Sequence, residues 1–275
     1  MSKLSKNFSE KIMEIENMKK LLEVMRTLRG ENGCPWDREQ SMQSLRPYII
    51  EEAFETVEAL DELDKTKPES LAELKKELGD LLLQVVFVSQ IASEEGLFQF
   101  DDVAGAITAK LITRHPHVFG DAKVADSAEV LKNWNLIKKN KESRKHLLDG
   151  IPKSMPSVLV SQRYASRAAS VGFDWKNAED TWKKVEEEKG ELASAVAEGD
   201  ADHIEEEFGD LMFALVNYGR KLGLDSEKAL KRCAEKFKAR FDEMENIDPT
   251  FVEGGKPLEY LEELWQKAKK NLKQA

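Results

Sequence analysis

An acidic pattern with helical spacing occurs twice in this chain, and it restricts the possible folds more than any other feature. Each copy has three glutamates within five residues, followed later by a Glu-x-Gly-Asp segment. The first copy comprises Glu51, Glu52, Glu55, Glu77 and Asp80, and the second comprises Glu187, Glu188, Glu191, Glu207 and Asp210. Residues three and four apart share one face of a helix. The pattern therefore predicts two similar helical halves, each carrying paired carboxylates on two helices.

The carboxylates of one copy need a counter-charge. Like charges at this spacing destabilise an isolated helix by about 0.2 to 0.5 kcal/mol per pair, and residues 51–62 contain no Lys or Arg. A hard divalent cation such as Mg²⁺ takes oxygen ligands and is usually held by a few carboxylates together with substrate phosphates. A single acidic run is typical of a solvated helix face. Its repetition favours a magnesium-dependent phosphate chemistry.

The second acidic pair of each copy adjoins an apolar run. A stripe of helical period predicts a buried face here and consists of Leu78, Leu81, Leu82 and Val85. An Asp beside such a face is expected to be partly desolvated, which is costly unless the charge is paired or bound to metal. A glycine inside a helix costs about 1 kcal/mol relative to Ala. The recurrence of Gly79 and Gly209 suggests the close approach of another backbone or a ligand, and tight helix packing is the alternative.

Composition limits the functional class. The 275 residues are 41% hydrophobic and 34% charged, which is typical of a helical globular protein, and the formal net charge is −10. Nonspecific binding to nucleic acid depends on many Lys and Arg contacts to phosphate, so this balance argues against a nucleic-acid partner. Anionic ligands are expected to be bound through metal ions or local basic residues.

Cysteine content and hydropathy indicate the compartment. The two cysteines, Cys34 and Cys233, provide neither a disulfide framework nor zinc-ligand spacing, which favours a reducing environment. The start of the chain lacks an apolar signal segment, and the longest apolar run, residues 81–88, is too short to span a bilayer. We therefore expect a cytoplasmic protein without a membrane partner.

Helical periodicity dominates the chain and alternating strand patterns are hard to find, which predicts an all-α protein with tandem duplicated domains. Helices are predicted near residues 8–29, 44–64, 69–95, 100–114 and 127–140, and near 157–170, 178–198, 201–222, 226–245 and 257–272. The segment 149–156 is rich in Gly and Pro and predicts a linker. We expect an N-terminal domain of residues 1–148 and a C-terminal domain of residues 157–275.

The internal repeat extends beyond the acidic residues. A basic pair at helical spacing follows each acidic copy, and a Trp-x-x-x-Lys segment follows each basic pair. These are Lys110, Arg114, Trp134 and Lys138 in the first half, and Lys236, Arg240, Trp265 and Lys269 in the second. Basic side chains can pair with phosphate oxygens and an aromatic ring can stack on a base. Each element alone is more often solvated surface or core, but the ordered recurrence predicts nucleotide binding.

Short motifs are distributed along nearly the whole chain. They are Gly33-Cys34-Pro35-Trp36-Asp37, Glu51-Glu52-Ala53-Phe54-Glu55, Glu77-Leu78-Gly79-Asp80-Leu81-Leu82, Arg114-His115-Pro116-His117-Val118-Phe119, Val171-Gly172-Phe173-Asp174-Trp175 and Glu207-Phe208-Gly209-Asp210. With these motifs the chain resembles the two-domain MazG nucleoside triphosphate pyrophosphohydrolases. The family pattern is Glu-x-x-Glu, a variable gap, then Glu-x-x-Asp, and the gaps here contain 21 and 15 residues.

The resemblance implies an all-α NTP pyrophosphatase fold, with four-helix bundles completed by dimerisation, in a homodimer. It implies Mg²⁺-dependent hydrolysis of NTPs or dNTPs to NMP and pyrophosphate, as house-cleaning of the nucleotide pool. One or two Mg²⁺ per site are expected, with Mn²⁺ as a substitute. Two ions about 3.5 to 4 Å apart would stabilise both the attacking and the leaving oxygen.

The resemblance also implies roles for particular residues. The metal ligands would be Glu188, Glu191, Glu207 and Asp210 in the second half, and Glu52, Glu55, Glu77 and Asp80 in the first. Nucleotide contacts would fall on Lys184, Lys236, Arg240 and Trp265, with Lys269 nearby. Glu187 and Glu51 are candidate catalytic residues that could position or deprotonate the attacking water.

Two positions depart from this pattern. Family members can carry a Lys shortly before the second acidic pair, and His203 stands there in this chain. Tyr48 occupies the position in the first half that Lys184 occupies in the second. The second half is therefore the favoured catalytic half. The alternative is a nucleotide-binding or regulatory dimerisation scaffold in which one or both halves are inactive.

Overall fold

The described residues fold mainly into α-helices. The computed structural model describes residues 16–124, 126, 130 and 145–274. It is 75% helical, and the described residues contain no strand, which confirms the predicted tandem all-α fold. The chain divides into two compact units, residues 1–134 and 135–275. The finer boundaries at residues 148 and 157 stay predictions.

The helices follow the predicted pattern closely. In the first unit they are α1 (Glu16–Arg29), α2 (Pro35–Glu39), α3 (Arg46–Asp61), α4 (Pro68–Glu94), α5 (Phe100–Arg114) and α6 (Pro116–Phe119). In the second unit they are α7 (Ser157–Ala169), α8 (Ala178–Glu198), α9 (Ala201–Lys221), α10 (Ser226–Ile247), a 3₁₀ helix (Pro249–Glu253) and α11 (Leu258–Gln274). The three short helices that the sequence did not predict all begin at a proline, a residue suited to the first helical position. The helix predicted near residues 127–140 lies largely outside the described residues.

Side-chain caps stabilise the starts of α8 and α10 in the second unit. Asn177 caps α8 by accepting a hydrogen bond from the backbone N of Asp180 at 2.8 Å. Asp225 caps α10 by accepting from the backbone N of Lys228 at 3.0 Å. Such caps satisfy backbone donors that have no partner inside the helix.

The first unit has a core in which α1 packs against α4. The core contains Met25, Leu45, Val86, Phe87 and Ile91. In the second unit, α7 and α8 pack against α9, and α10 packs against α11. The core between α10 and α11 contains Met244, Leu264 and Ala268, with Phe251 of the 3₁₀ helix. None of the described helices has the length and apolar character to cross a lipid bilayer.

Only part of the apolar stripe on α4 is buried. Leu82 is half-buried against the core of the first unit, whereas Leu78 is 50% exposed and Val85 is 41% exposed, so the prediction that the stripe packs in a core is wrong for Leu78 and Val85. The physical reason is that α4 turns the side carrying Val86 towards α1. A Cβ built on Gly79 or Gly209 would meet nothing within 4 Å, and the predicted close approach to these glycines is therefore not made by any of the described residues.

Candidate metal and nucleotide site

Three carboxylates meet where α3 and α4 lie side by side. Glu52 and Glu55 of α3 and Glu77 of α4 each offer an oxygen, and these three atoms lie within 4.8 Å of one another. We call this group the first cluster. Thr56 Oγ1 donates a 3.2 Å hydrogen bond to the backbone oxygen of Glu77. This bond links the two helices beside the cluster.

Burial, and then crowding of negative charge, raises the pKa of two carboxyls of the first cluster. Burial, followed by the charges of Asp80 and Glu55, raises the pKa of Glu52. Partial desolvation, followed by the charge of Glu77, raises the pKa of Glu55. Asp80 is half-buried and lies outside the three-atom group, and Glu51 is exposed. A cation placed among these oxygens would relieve the repulsion.

Lys76 brings a positive charge to the first cluster. Its Nζ lies 2.7 Å from Oε1 of Glu77 and 3.3 Å from Oε1 of Glu73. The hydrogen bond from Lys76 is the main reason that the pKa of Glu77 is lowered. Glu77 is only 4% exposed, and its Oε2 has no hydrogen-bond partner among the described residues. A buried carboxylate oxygen without a partner is costly, so the donor set of the first cluster fits a hard divalent cation.

A second group of carboxylates lies between α8 and α9. Glu188 of α8 and Glu207 and Asp210 of α9 offer oxygens within 4.8 Å of one another. We call this group the second cluster. Glu188 is 6% exposed, whereas Asp210 is exposed. Glu191 lies outside the three-atom group, and a hydrogen bond with Glu188, followed by burial, raises the pKa of Glu191. The three-oxygen set again fits Mg²⁺ or Mn²⁺.

Lys184 is held against the second cluster. Its Nζ lies 2.7 Å from Oε1 of Glu187 and 2.7 Å from Oε1 of Glu188. These contacts raise the pKa of Lys184, with the bond to Glu187 as the largest cause. In the first unit, Tyr48 at the matching position instead places its ring edge-on to Trp36 at 6.0 Å. The second cluster alone therefore has a lysine on its leading helix.

The basic and aromatic residues of the second unit form a separate group. The guanidinium of Arg240 on α10 lies 5.4 Å from the centre of the Trp265 ring on α11, and the Phe237 ring lies 5.2 Å from the same ring. Lys236 is exposed, and Lys269 is half-buried one turn beyond Trp265. In the described residues, no hydrogen bond, ion pair or ring contact joins this group to the second cluster. The structure thus brings Arg240 and Trp265 together but keeps them on other helices than the acids.

The corresponding group in the first unit is only partly described. Lys110 and Arg114 lie one turn apart on α5, and both have interaction partners. Trp134 and Lys138 lie outside the described residues.

Some site contacts were not predicted from the sequence. Residues 51–62 contain no counter-charge, whereas Lys76 of the next helix provides one at Glu77. Asp174 was known only as part of a motif, and it accepts hydrogen bonds from Arg220 and, at 2.9 Å, from Lys221. The alternation of basic and acidic residues in the sequence indicates that ion pairs form, but it does not specify which helices these pairs join.

Two helical units, each with a carboxylate cluster between consecutive helices, define a tandem all-α protein suited to binding metal and phosphate. The family model for the MazG nucleotide pyrophosphohydrolase domain matches the chain twice, at residues 40–119 and 176–244, and each match contains one cluster. The chain belongs to the MazG family.

Relatives with known names support the same assignment. The nucleoside triphosphate pyrophosphohydrolase of Escherichia coli strain K12 is 43% identical over 259 residues, which cover 91% of this chain and 96% of that protein. The nucleoside triphosphate pyrophosphohydrolase/pyrophosphatase MazG of Thermotoga maritima is 43% identical over 254 residues, covering 90% and 94% of the two chains. The nucleoside triphosphate pyrophosphohydrolase of Mycobacterium tuberculosis is 34% identical over 141 residues, covering 50% and 41%.

Proposed function

We propose that this chain hydrolyses ribo- and deoxynucleoside triphosphates between the α and β phosphates and releases NMP and pyrophosphate. The observation that carries the proposal is the convergence of Glu188, Glu207 and Asp210 within 4.8 Å, inside a segment that matches the family model. Membership of this family makes the chain a hydrolase acting on phosphoric anhydrides. We further propose that it works in the cytoplasm, where it removes unwanted nucleotides from the pool.

The second cluster is the proposed metal site, with Mg²⁺ as cofactor and Mn²⁺ as its substitute. Glu188, Glu207 and Asp210 would hold the cation, and Glu191 lies beside them. When bound, Mg²⁺ supplies charge to neutralise phosphate oxygens and increases the acidity of water. Lys184 supplies a further cationic partner for phosphate oxygens. The Arg240 and Trp265 pair offers an aromatic face and a charge for the base end of a nucleotide.

Glu187 is the proposed residue that orients or deprotonates the attacking water. It is 56% exposed at its side chain and contacts Lys184 but lies outside the three-atom group. The change Glu187→Gln keeps the shape and removes the base, so we expect turnover to fall about 100-fold while Mn²⁺ affinity is retained. Glu186→Gln, a neighbouring exposed acid, is the control. Normal turnover by Glu187→Gln would disprove this role, and Glu51→Gln tests the same role in the first unit.

An alternative function applies to the first unit. Tyr48 stands in the first unit where the second cluster has Lys184 on its leading helix. This difference favours a first unit that acts as a nucleotide-binding or regulatory dimerisation scaffold. Loss of all NMP release in Glu188→Ala, with normal release in Glu52→Ala, is the result expected of this division.

A homodimer is proposed because apolar side chains beside both clusters are exposed in the part of the chain that the structure describes. In the second unit Phe208 is 54% exposed, Met212 41% and Leu215 45%. Soluble monomers rarely expose contiguous apolar patches of this kind. A second copy that covers these faces would complete the helical bundles. Light scattering of the purified protein tests this proposal, and a mass near the 31.3 kDa of one chain would contradict it.

The activity is tested by measuring NMP and pyrophosphate release from a panel of NTPs and dNTPs, with Mg²⁺ or with EDTA. Wild type is compared with Glu188→Ala and Glu52→Ala, and Glu205→Ala serves as a matched control because Glu205 is exposed on α9 outside the second cluster. We expect metal-dependent release that Glu188→Ala abolishes and Glu205→Ala preserves. Release of phosphate instead of pyrophosphate, or no release from any nucleotide, would overturn the proposed reaction.

A further inference from the structure

His203 lies between two carboxylates at the start of α9. Its Nε2 is 3.2 Å from Oε1 of Glu207, and its Nδ1 is 3.4 Å from Oε2 of Glu198. The side chain of Glu207 is 14% exposed, whereas that of His203 is 40% exposed. The imidazole therefore contacts a member of the second cluster from the solvent side and is not itself one of the three ligand atoms.

The connection between α8 and α9 holds this imidazole in place. Gly199 follows α8 with φ 79°, in the left-handed region that favours glycine. Asp200 then caps α9, and its Oδ1 accepts a hydrogen bond of 3.4 Å from the backbone N of His203. Glu207 follows His203 by four residues, which places both side chains on one helix face. The contact therefore follows from the local geometry of a two-residue connection.

The first unit has no corresponding histidine. Counting back four residues from Glu77, as His203 is four residues before Glu207, leads to Glu73, which contacts Lys76 instead. The connection there comprises residues 62–67, whereas residues 199–200 alone connect α8 and α9. The histidine contact is a feature of the second cluster.

We propose that His203 is a positioning residue that orients the Glu207 carboxylate for the cation. The inference rests on the proposed metal role of the second cluster. Carboxylate ligands are themselves held by partners outside the metal, and loss of such a partner typically lowers metal affinity or activity about 10- to 100-fold. A neutral imidazole with its proton on Nε2 is sufficient to donate to Glu207. The rival role for a residue at this position is a direct contact with substrate phosphate.

The first test measures binding of Mn²⁺ alone by calorimetry. It uses the full chain with Glu52→Gln and Glu77→Gln, so that the first cluster does not contribute. We expect His203→Ala to weaken Mn²⁺ binding about tenfold or more. His203→Gln, which keeps an N–H donor, is expected to stay within about threefold of the parent. His146→Ala, which removes an exposed histidine of the same unit outside the second cluster, should leave the affinity unchanged.

The second test separates positioning from phosphate contact by kinetics. Positioning predicts that His203→Ala lowers kcat while KM for the triphosphate changes little, and that His203→Gln restores much of the loss. An unchanged Mn²⁺ affinity with a raised KM would overturn the proposal in favour of a phosphate contact. An unchanged Mn²⁺ affinity together with an unchanged KM would overturn the proposal as well. The metal titration contains no nucleotide, so a failure of the proposed hydrolysis would be seen separately.

Discussion

The ammonium of Lys76 lies 2.7 Å from Oε1 of the buried Glu77, and it therefore pairs with one oxygen of a carboxylate in the first cluster. In the second unit, the residue just before Glu207 is Glu206 rather than a lysine. The second cluster instead has Lys184 on its leading helix. Each cluster thus has one lysine on its buried glutamate, but the lysines come from opposite helices of the pair.

Removing this ammonium should strengthen metal binding by the first cluster. Lys76→Met frees the Glu77 carboxylate, and because Lys76 is 61% exposed at its side chain, we expect a gain of only about two- to fivefold in Mn²⁺ affinity. The measurement uses calorimetry in a Glu188→Ala background. Lys75→Met removes the same charge from the adjacent exposed residue and serves as the control. An equal gain in both variants would show a general charge effect rather than competition at Glu77.

The ring of Trp265 should contribute to nucleotide affinity. Stacking of an aromatic ring on a base is worth about 1 to 3 kcal/mol, so Trp265→Ala is expected to raise KM for the triphosphate about tenfold or more with little change in kcat. Trp265→Phe keeps an aromatic face and should recover part of the affinity. Trp265 also packs beside a core, and thermal melts of both variants therefore accompany the kinetics. If both variants melt like wild type and KM is unchanged, Trp265 does not contribute to nucleotide affinity.

The effect of metal on stability should depend on pH in a defined direction. Burial first, and neighbouring acids second, raise the pKa of Glu52 above 4.5. A carboxyl with a raised pKa stabilises the folded state in its protonated form, so its contribution is complete below its unfolded pKa and is lost as pH rises through the folded pKa. A bound cation favours the ionised form. We therefore expect Mg²⁺ to raise Tm more at about pH 7.5 than at about pH 5. An equal rise at both values would contradict this linkage.

Asp248 should support the second unit except in strong acid. Hydrogen bonds from Thr250 and Tyr260 lower the pKa of Asp248 from 3.8 to about 2, and the Tyr260 hydroxyl donates at 2.7 Å. A lowered pKa gives stability above the unfolded value, and this stability is lost as pH falls from 3.8 towards about 2. We expect Asp248→Asn to lower Tm by a few degrees (about 2 to 4 °C) at neutral pH. The difference in Tm between Asp248→Asn and wild type should become smaller in melts at acid pH. A difference in Tm that stays constant with pH would contradict this prediction.

Local spacing predicted the helices and the pairing of acids well, because helical periodicity and the i, i+3 relation depend only on sequence. The second cluster formed from Glu188, Glu207 and Asp210, as the motif predicts, whereas Asp80 and Glu191 lie outside the three-atom groups. Contacts between helices were harder to predict.

Lys76 reaches Glu77 and Glu73 on its own helix, but the sequence does not say that these glutamates face α3. The exposure of Leu78 and Val85 was mistaken for burial because periodicity shows that a helix has an apolar face and not which molecule covers it. The separation of the second cluster from Arg240 and Trp265 likewise depends on tertiary packing.

The two helix hairpins differ in length while their acids still meet. Between its acidic pairs the first unit has 21 residues, with residues 62–67 as the connection, and the second has 15, with residues 199–200. The longer hairpin leaves a pocket of about 340 Å³ lined by Glu55, Glu58, Ala59, Glu62, Glu73, Lys76 and Glu77. An engineered insertion, a reporter tag or a protease site should be tolerated at residues 62–67. The same change at residues 199–200 would separate the α8 end from the helix start that carries His203, so the length of this second connection is fixed by the contacts of His203 with Glu198 and Glu207.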